Sequence, residues 1–162
     1  MKTLIVYATK YGTAEKAVKK LTEYLEGDIK IVNIGEAEEI DDIASYELII
    51  IGGSIYAGKI QQEIKKFCES NISLFSSKKI GLFICCGRSD QVAEQLTASF
   101  GEKLLNQAVV RGYFGYEYNL EKMNFLFKTV VRVITGIKES KSEIIEKNIK
   151  KFADEINSIK EV

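Results

Sequence analysis

The run from Glu47 to Ser54, Glu-Leu-Ile-Ile-Ile-Gly-Gly-Ser, constrains the fold more than any other part of the chain. Four consecutive aliphatic residues leave no polar face, so a strand here must be covered on both sides, as in a parallel sheet between helical layers. Thr3 to Ala8, Ile29 to Asn33, Lys79 to Cys86 and Gln107 to Phe114 read as further strands. Helical patterns fill the gaps. Thr13 to Leu25 sets Ala14, Ala17, Val18, Leu21 and Leu25 on one face, and a helix from about Lys59 gathers Ile60, Ile64, Phe67 and Cys68. Asp90 to Asn106 turns Val92, Leu96 and Phe100 inward, and Ser142 to Ile159 repeats Ile145, Ile149, Phe152, Ile156 and Ile159. Five strands alternating with helices predict a three-layer α/β domain spanning 1–162, its doubly wound parallel sheet in the order 2-1-3-4-5.

Composition narrows function by exclusion. Lys plus Arg and Asp plus Glu are both 23 in 162 residues, so no bulk basic surface suggests nucleic acid. The six acids and no base between Glu36 and Glu47 read as a solvated loop and short helix. His is absent, and the three cysteines, Cys68, Cys85 and Cys86, have no CxxC spacing, which argues against a zinc site or a disulfide framework. The adjacent pair allows a redox disulfide, but buried structural thiols are the commoner case. Met1 to Tyr7 is too short and β-branched for a signal peptide, so the expected location is the cytoplasm.

Ligands of such sheets bind beyond the carboxyl ends of the strands, where the winding reverses. Three loops rich in Gly, hydroxyl and small residues fall there: Thr9 to Thr13, Ser54 to Lys59, and Cys86 to Asp90. In the first, Thr9-Lys10-Tyr11-Gly12-Thr13-Ala14 runs from strand into helix, whose unpaired amides form a phosphate cradle. The alternative is that Thr13 caps the helix and Gly12 turns the chain. Gly53 to Lys59 fits GxxxxGK, but Ile60 stands where a nucleotidase needs a Mg²⁺-binding hydroxyl. A phosphorylation receiver is excluded by Tyr7-Ala8-Thr9, Gly52-Gly53-Ser54 and Tyr113-Phe114, where its acids and lysine would lie.

The first loop resembles that of the flavodoxin family, a hydroxyl residue, x, Thr, Gly, x, Thr. Thr9 and Gly12 match, Tyr11 and Ala14 depart, and Thr13 partly replaces the missing hydroxyl. A resemblance to the branch that includes the bacterial menaquinone-dependent protoporphyrinogen dehydrogenase extends over nearly the whole chain. It rests on Met1-Lys2-Thr3-Leu4-Ile5, the Thr-Lys-Tyr-Gly loop, Ile51-Gly-Gly-Ser-Ile-Tyr-Ala-Gly58 and an apolar segment before the last helix. Cys86-Gly87-Arg88-Ser89-Asp90 lacks the longer, more basic region of that branch.

The resemblance implies FMN, with its phosphate in the loop from Thr9 to Ala14. Ser54 and the backbone of Ile55, Tyr56, Ala57 and Gly58 would bond the ring's polar edge, and Tyr56 would stack on it or be only a half-buried aromatic. Cys86, Gly87, Arg88 and Ser89 would lie beside the ring. Arg88 would there stabilise negative charge, or else be a solvated surface arginine. The resemblance also implies electron passage from an organic donor such as protoporphyrinogen to a quinone, or else shuttling between redox partner proteins.

Leu120 to Ile137 departs from an ordinary surface helix. Glu121, Asn124, Lys128, Arg132 and Thr135 form one narrow polar stripe, and nearly everything else is apolar. The segment is expected to be an amphipathic flap near the flavin, meeting a bilayer at the inner face of the membrane, an apolar quinone or porphyrin, or a second subunit in a homodimer. The alternative is a fully buried extra helix.

Overall fold

The computed structural model describes residues 1–37 and 40–159. Strands β1 (Lys2–Ala8), β2 (Asp28–Asn33), β3 (Leu48–Ser54), β4 (Lys79–Cys85) and β5 (Val110–Tyr113) form one parallel sheet in the order β2-β1-β3-β4-β5. β3 lies centrally, with Ile50 opposite Ile5 on β1 and Gly81 on β4. Successive side chains of a strand point to opposite faces, so the uninterrupted aliphatic runs feed two cores. Leu4, Val6, Ile49 and Ile51 pack beneath α2 (Gln62–Phe75) and α3 (Val92–Gln107). Ile5, Leu48 and Ile50 pack beneath α1 (Thr13–Tyr24) and α5 (Glu146–Ser158). The strand order and the three layers are those the sequence predicts. Of the acidic stretch, Glu38 and Glu39 lie outside the described residues, and Ile43–Ser45 forms a short 3₁₀ turn.

Several boundaries differ, each for a local reason. α2 starts at Gln62 rather than near Lys59, because Tyr56 and Lys59 close a tight reversal with mutual backbone hydrogen bonds of 2.9 Å. Its two central residues, Ala57 (φ 47°) and Gly58 (φ 73°), are both left-handed. α3 runs on to Gln107 through a break at Gly101, so β5 is shorter than the expected Gln107 to Phe114.

The largest difference concerns the last helix. Ser142 to Ile144 is not helical but belongs to strand β7 (Lys141–Ile144), which pairs antiparallel with β6 (Gly115–Tyr118). The chain leaves the main sheet at Phe114, whose amide still donates to the Ile84 carbonyl at 3.0 Å. The fully buried Phe114 ring stacks on Phe83 with centroids 4.8 Å apart. Gly115, at φ 84°, then turns the backbone outward to meet β7. Ile145 closes the join by donating its N–H to the Phe114 carbonyl at 3.0 Å.

Between β6 and β7 lies α4 (Phe125–Thr135). It is capped at both ends: the Asn124 side chain accepts from the Phe127 N–H at 2.8 Å, and the Gly136 N–H donates to the Arg132 carbonyl at 2.9 Å. Phe127 and Val131 turn inward onto a small third core with Tyr11, Leu120 and Met123. Phe125, Leu126, Val133 and Ile134 are exposed, so the segment is not a fully buried helix.

Candidate functional site

The three loops meet at the carboxyl edge of the sheet, as the winding requires. In the first, Gly12 is the residue before α1 and has φ 93°, a left-handed conformation that favours glycine. Its N–H donates to the Thr9 hydroxyl oxygen at 2.9 Å, which folds the loop back on itself. No side chain caps α1. Thr13 is not the cap, because its hydroxyl donates instead to the Glu117 carbonyl of β6 at 3.2 Å. The first-turn amides are therefore available to an anion, with the helix dipole behind them. Ala14 is fully buried beneath them. Around the idealised Cβ position at Gly12 the space is open except for Lys122 Nζ at 3.5 Å. The exposed Lys10 lies nearby, its Nζ 4.9 Å from the centre of the Phe127 ring.

The second loop is held by Gln61, whose side-chain oxygen accepts from the Ser54 N–H at 3.2 Å and whose amide donates to the Ser54 carbonyl at 2.8 Å. The Ile55 N–H donates to the Cys85 carbonyl at 2.8 Å, tying this loop to the end of β4. Tyr56 packs edge-on against Tyr11, ring centroids 5.4 Å apart, and burial pushes its phenol up to about 12. Phe127 completes this aromatic cluster at 5.7 Å from Tyr11 and 6.0 Å from Tyr56.

In the third loop, the Tyr113 hydroxyl donates to the Cys86 carbonyl at 3.0 Å, and Gly87, Arg88 and Ser89 are exposed. The exposed Arg88 guanidinium is engaged by Asp90 at 2.9 Å, and the residue also lines the cavity described below. The adjacent thiols separate: Cys85 packs in the core under α1 and α5, Cys86 in the core under α2 and α3. Both are free, and burial raises both thiol pKa values. Strand geometry thus forbids an easy Cys85–Cys86 disulfide. Alkylation of the native protein at pH 8 should leave both thiols largely unmodified while free cysteine reacts fully, with no Cys85–Cys86 link in peptide mass spectra.

Between the second and third loops, and beneath α4, lies a cavity of about 220 Å³. Ile55 to Gly58 form one wall and Cys86 to Arg88 another, while Tyr118 and the α4 residues Phe127, Val130, Val131 and Ile134 close the side. A more open hollow of about 390 Å³ lies between the first and second loops, and Tyr56 borders both. Among the described residues, the buried Tyr11 Oη and Gln95 Oε1 have no hydrogen-bond partner. Buried polar groups are nearly always paired, so the Gln95 side chain gives the cavity wall an acceptor left open to a ligand.

The loops therefore bring together Thr9 to Ala14, Ser54 to Gly58 and Cys86 to Ser89. The inner face of α4 joins them, within the segment expected as a flap, and Tyr118, Lys122 and Gln95 also belong to this region without the sequence singling out their role. They reach the site through the β6–β7 pair and through α3, contacts that no local spacing encodes.

Residues 4–144 match the flavodoxin domain family. A search of curated proteins finds no match. Among solved structures, a short-chain flavodoxin associated with a non-canonical PDU bacterial microcompartment superposes with a TM-score of 0.62 at 15% identity, covering 98% of this chain and 99% of that one. A flavodoxin of Streptococcus pneumonia TIGR4 gives 0.53 at 13% identity, covering 98% and 99%. The rubredoxin oxygen:oxidoreductase of Desulfovibrio gigas gives 0.55 at 12% identity, with 96% of this chain matching 37% of that protein. At these identities the superpositions speak for the fold, and the family match for kinship. The chain belongs to the flavodoxin family, an FMN-binding electron-transfer fold.

Proposed function

We propose that this protein is an FMN-dependent oxidoreductase whose electrons are exchanged with a small apolar molecule, with an organic donor such as protoporphyrinogen and a quinone as acceptor. In this reading the phosphate of FMN is held by Thr9 to Ala14 with Lys122 alongside. The ring is held by Ser54 to Gly58 and Cys86 to Ser89. Gln95 Oε1, buried without a partner on the cavity wall, fits such a ligand. FMN, when bound, supplies one- and two-electron chemistry at its ring. The chain's own residues bind, orient and exclude water.

The observation that carries the choice of partner is the α4 wall. Phe127, Val130, Val131 and Ile134 line one side of the cavity, which favours a flat apolar molecule over a protein surface at that side. The formal charge of zero agrees, since it offers no global field for steering a charged protein partner. Shuttling between redox proteins is the second reading, favoured by the family match itself.

The test has two stages. The purified protein should be yellow and release FMN on denaturation; a colourless protein that takes up no added FMN would end the proposal. The FMN-loaded protein should then oxidise the donor anaerobically with a soluble quinone. No quinone-linked turnover, together with efficient support of a reductase-to-acceptor protein chain, would establish the shuttle instead.

A further inference from the structure

We propose that the outer face of α4 docks this protein on an anionic lipid bilayer, with the helix lying in the interface plane and the mouth of the cavity turned toward the membrane. Docking stands on the surface described below; only the orientation of the cavity rests on the redox reading above.

On α4, Phe125 is 81% exposed, Leu126 77%, Val133 79%, Ile134 76% and Val130 49%. These five make up most of the large apolar side chains left open on the described surface; the remaining two, Ile31 and Val109, stand elsewhere in sequence. A soluble domain rarely concentrates its exposed apolar surface on one element without a use for it. The helix is deliberately stabilised in this arrangement by its Asn124 and Gly136 caps, so the face is a property of the folded chain.

Charge selects the occupant. Lys128, Arg132 and Lys138 lie on or beside α4, and none has an ion-pair partner among the described residues. The flanking acids are Glu121 and Glu139, and α4 itself carries none. A chain of zero net charge thus gathers unpaired cations around its apolar helix. A second copy would bring the same cations face to face across a two-fold axis, which opposes dimerisation. Size argues the same way. The helix has 11 residues, about 16 Å, so its exposed face is on the order of a few hundred Å², against roughly 800 Å² per partner in a stable protein interface. No helix among the described residues is long and apolar enough to cross a membrane. An amphipathic helix with basic flanks instead lies at the headgroup boundary, where apolar burial and attraction to anionic lipid add.

Val130 and Ile134 belong both to the exposed face and to the cavity lining. The apolar surface therefore runs without interruption from the bilayer side of α4 to the space beside the second and third loops. An apolar electron carrier dissolved in the bilayer would reach the cavity without crossing water.

Flotation of the FMN-loaded protein with vesicles tests this, using phosphatidylcholine alone and phosphatidylcholine with about one-third phosphatidylglycerol. The expected result is co-flotation with the anionic vesicles and at least about tenfold weaker association with the neutral ones, since each cation near such a surface is worth about fivefold. Leu126→Ser with Val133→Ser should lose at least about tenfold on anionic vesicles. Arg132→Glu with Lys138→Glu should lose a similar factor there and little on neutral vesicles. Both pairs are exposed, so FMN affinity and melting temperature should stay at wild-type values. Folded wild type that fails to float with anionic vesicles, or variants that float as well as wild type, would overturn the proposal. A concentration-dependent dimer abolished by Leu126→Ser with Val133→Ser would overturn it in favour of a second copy. Failure to bind FMN would sink the redox reading but leave the flotation result to decide docking on its own.

Discussion

Replacing Gly12 with aspartate should weaken FMN binding at least about a hundredfold while leaving the chain folded. Two effects act together. Gly12 sits at φ 93°, where a side chain costs about 1–2 kcal/mol of backbone strain, enough to distort the loop but not to unfold the sheet. The new carboxylate would also occupy the open space between the first-turn amides and Lys122, whose Nζ is 3.5 Å from the Cβ position. It would take the first-turn amides and Lys122 for itself and repel an anion approaching them. Losing two charge-assisted hydrogen bonds of about 1.5–3 kcal/mol each already exceeds a hundredfold. Titration by quenching of flavin fluorescence measures the loss. Riboflavin, which lacks the phosphate, is the control and should lose far less affinity than FMN. Equal loss for both flavins would place the phosphate elsewhere, and unchanged FMN affinity in a folded variant would remove the loop from the site altogether.

Gly115→Ala should have the largest effect on stability. At φ 84°, a Cβ on Gly115 would fall well inside contact distance of the Glu143 carbonyl oxygen, a backbone atom of the paired strand that cannot swing away. Strain and overpacking of about 1–3 kcal/mol each add to about 2–6 kcal/mol, and we take about 3 kcal/mol as the expected loss. For a chain of this size that lowers the melting temperature by roughly 6–12 °C. The consequence for the site is specific, because β6 carries Glu117 and Tyr118. The Glu117 carbonyl accepts from Thr13 in the first loop, its buried carboxylate pairs with Lys16 at 2.6 Å, and Tyr118 lines the cavity. FMN affinity should therefore fall together with thermal stability. A melting temperature within a degree or two of wild type would show that β7 can shift aside and that the pairing matters little.

The sequence and the fold correspond wherever burial is two-sided. Leu48 to Ile51 have to be covered on both faces whatever their neighbours, so β3 and its parallel partners are readable from composition alone. The same holds for the three loops, whose positions follow from strand ends. β6 and β7 are different. Gly-Tyr-Glu-Tyr and Lys-Ser-Glu-Ile are four residues each, polar, and stable only because they pair with one another across α4. Nothing local distinguishes Ser142 to Ile144 from the start of the helix whose apolar repeat follows it.

Lys122 was illegible for a related reason, since it reaches Gly12 only through the hairpin. Phe127 illustrates a third kind of ambiguity. It stands two residues from Phe125 in an apolar run, yet it packs on Tyr11 and Tyr56 while Phe125 faces outward. A helix apolar on nearly all sides does not announce which side faces in.

The antiparallel pairing of β6 with β7 joins Tyr118 to Lys141, so the two ends of the α4 segment leave and re-enter the body side by side. Such a segment behaves as a cassette. Its length and content can change without moving either strand, because doubling a closed loop costs only about 0.6 kcal/mol. Selection can thus exchange the piece between Tyr118 and Lys141 while the five-stranded sheet and its first loop stay fixed. Related chains that share this sheet are free to differ most in what covers the cavity, and so in which partners reach it.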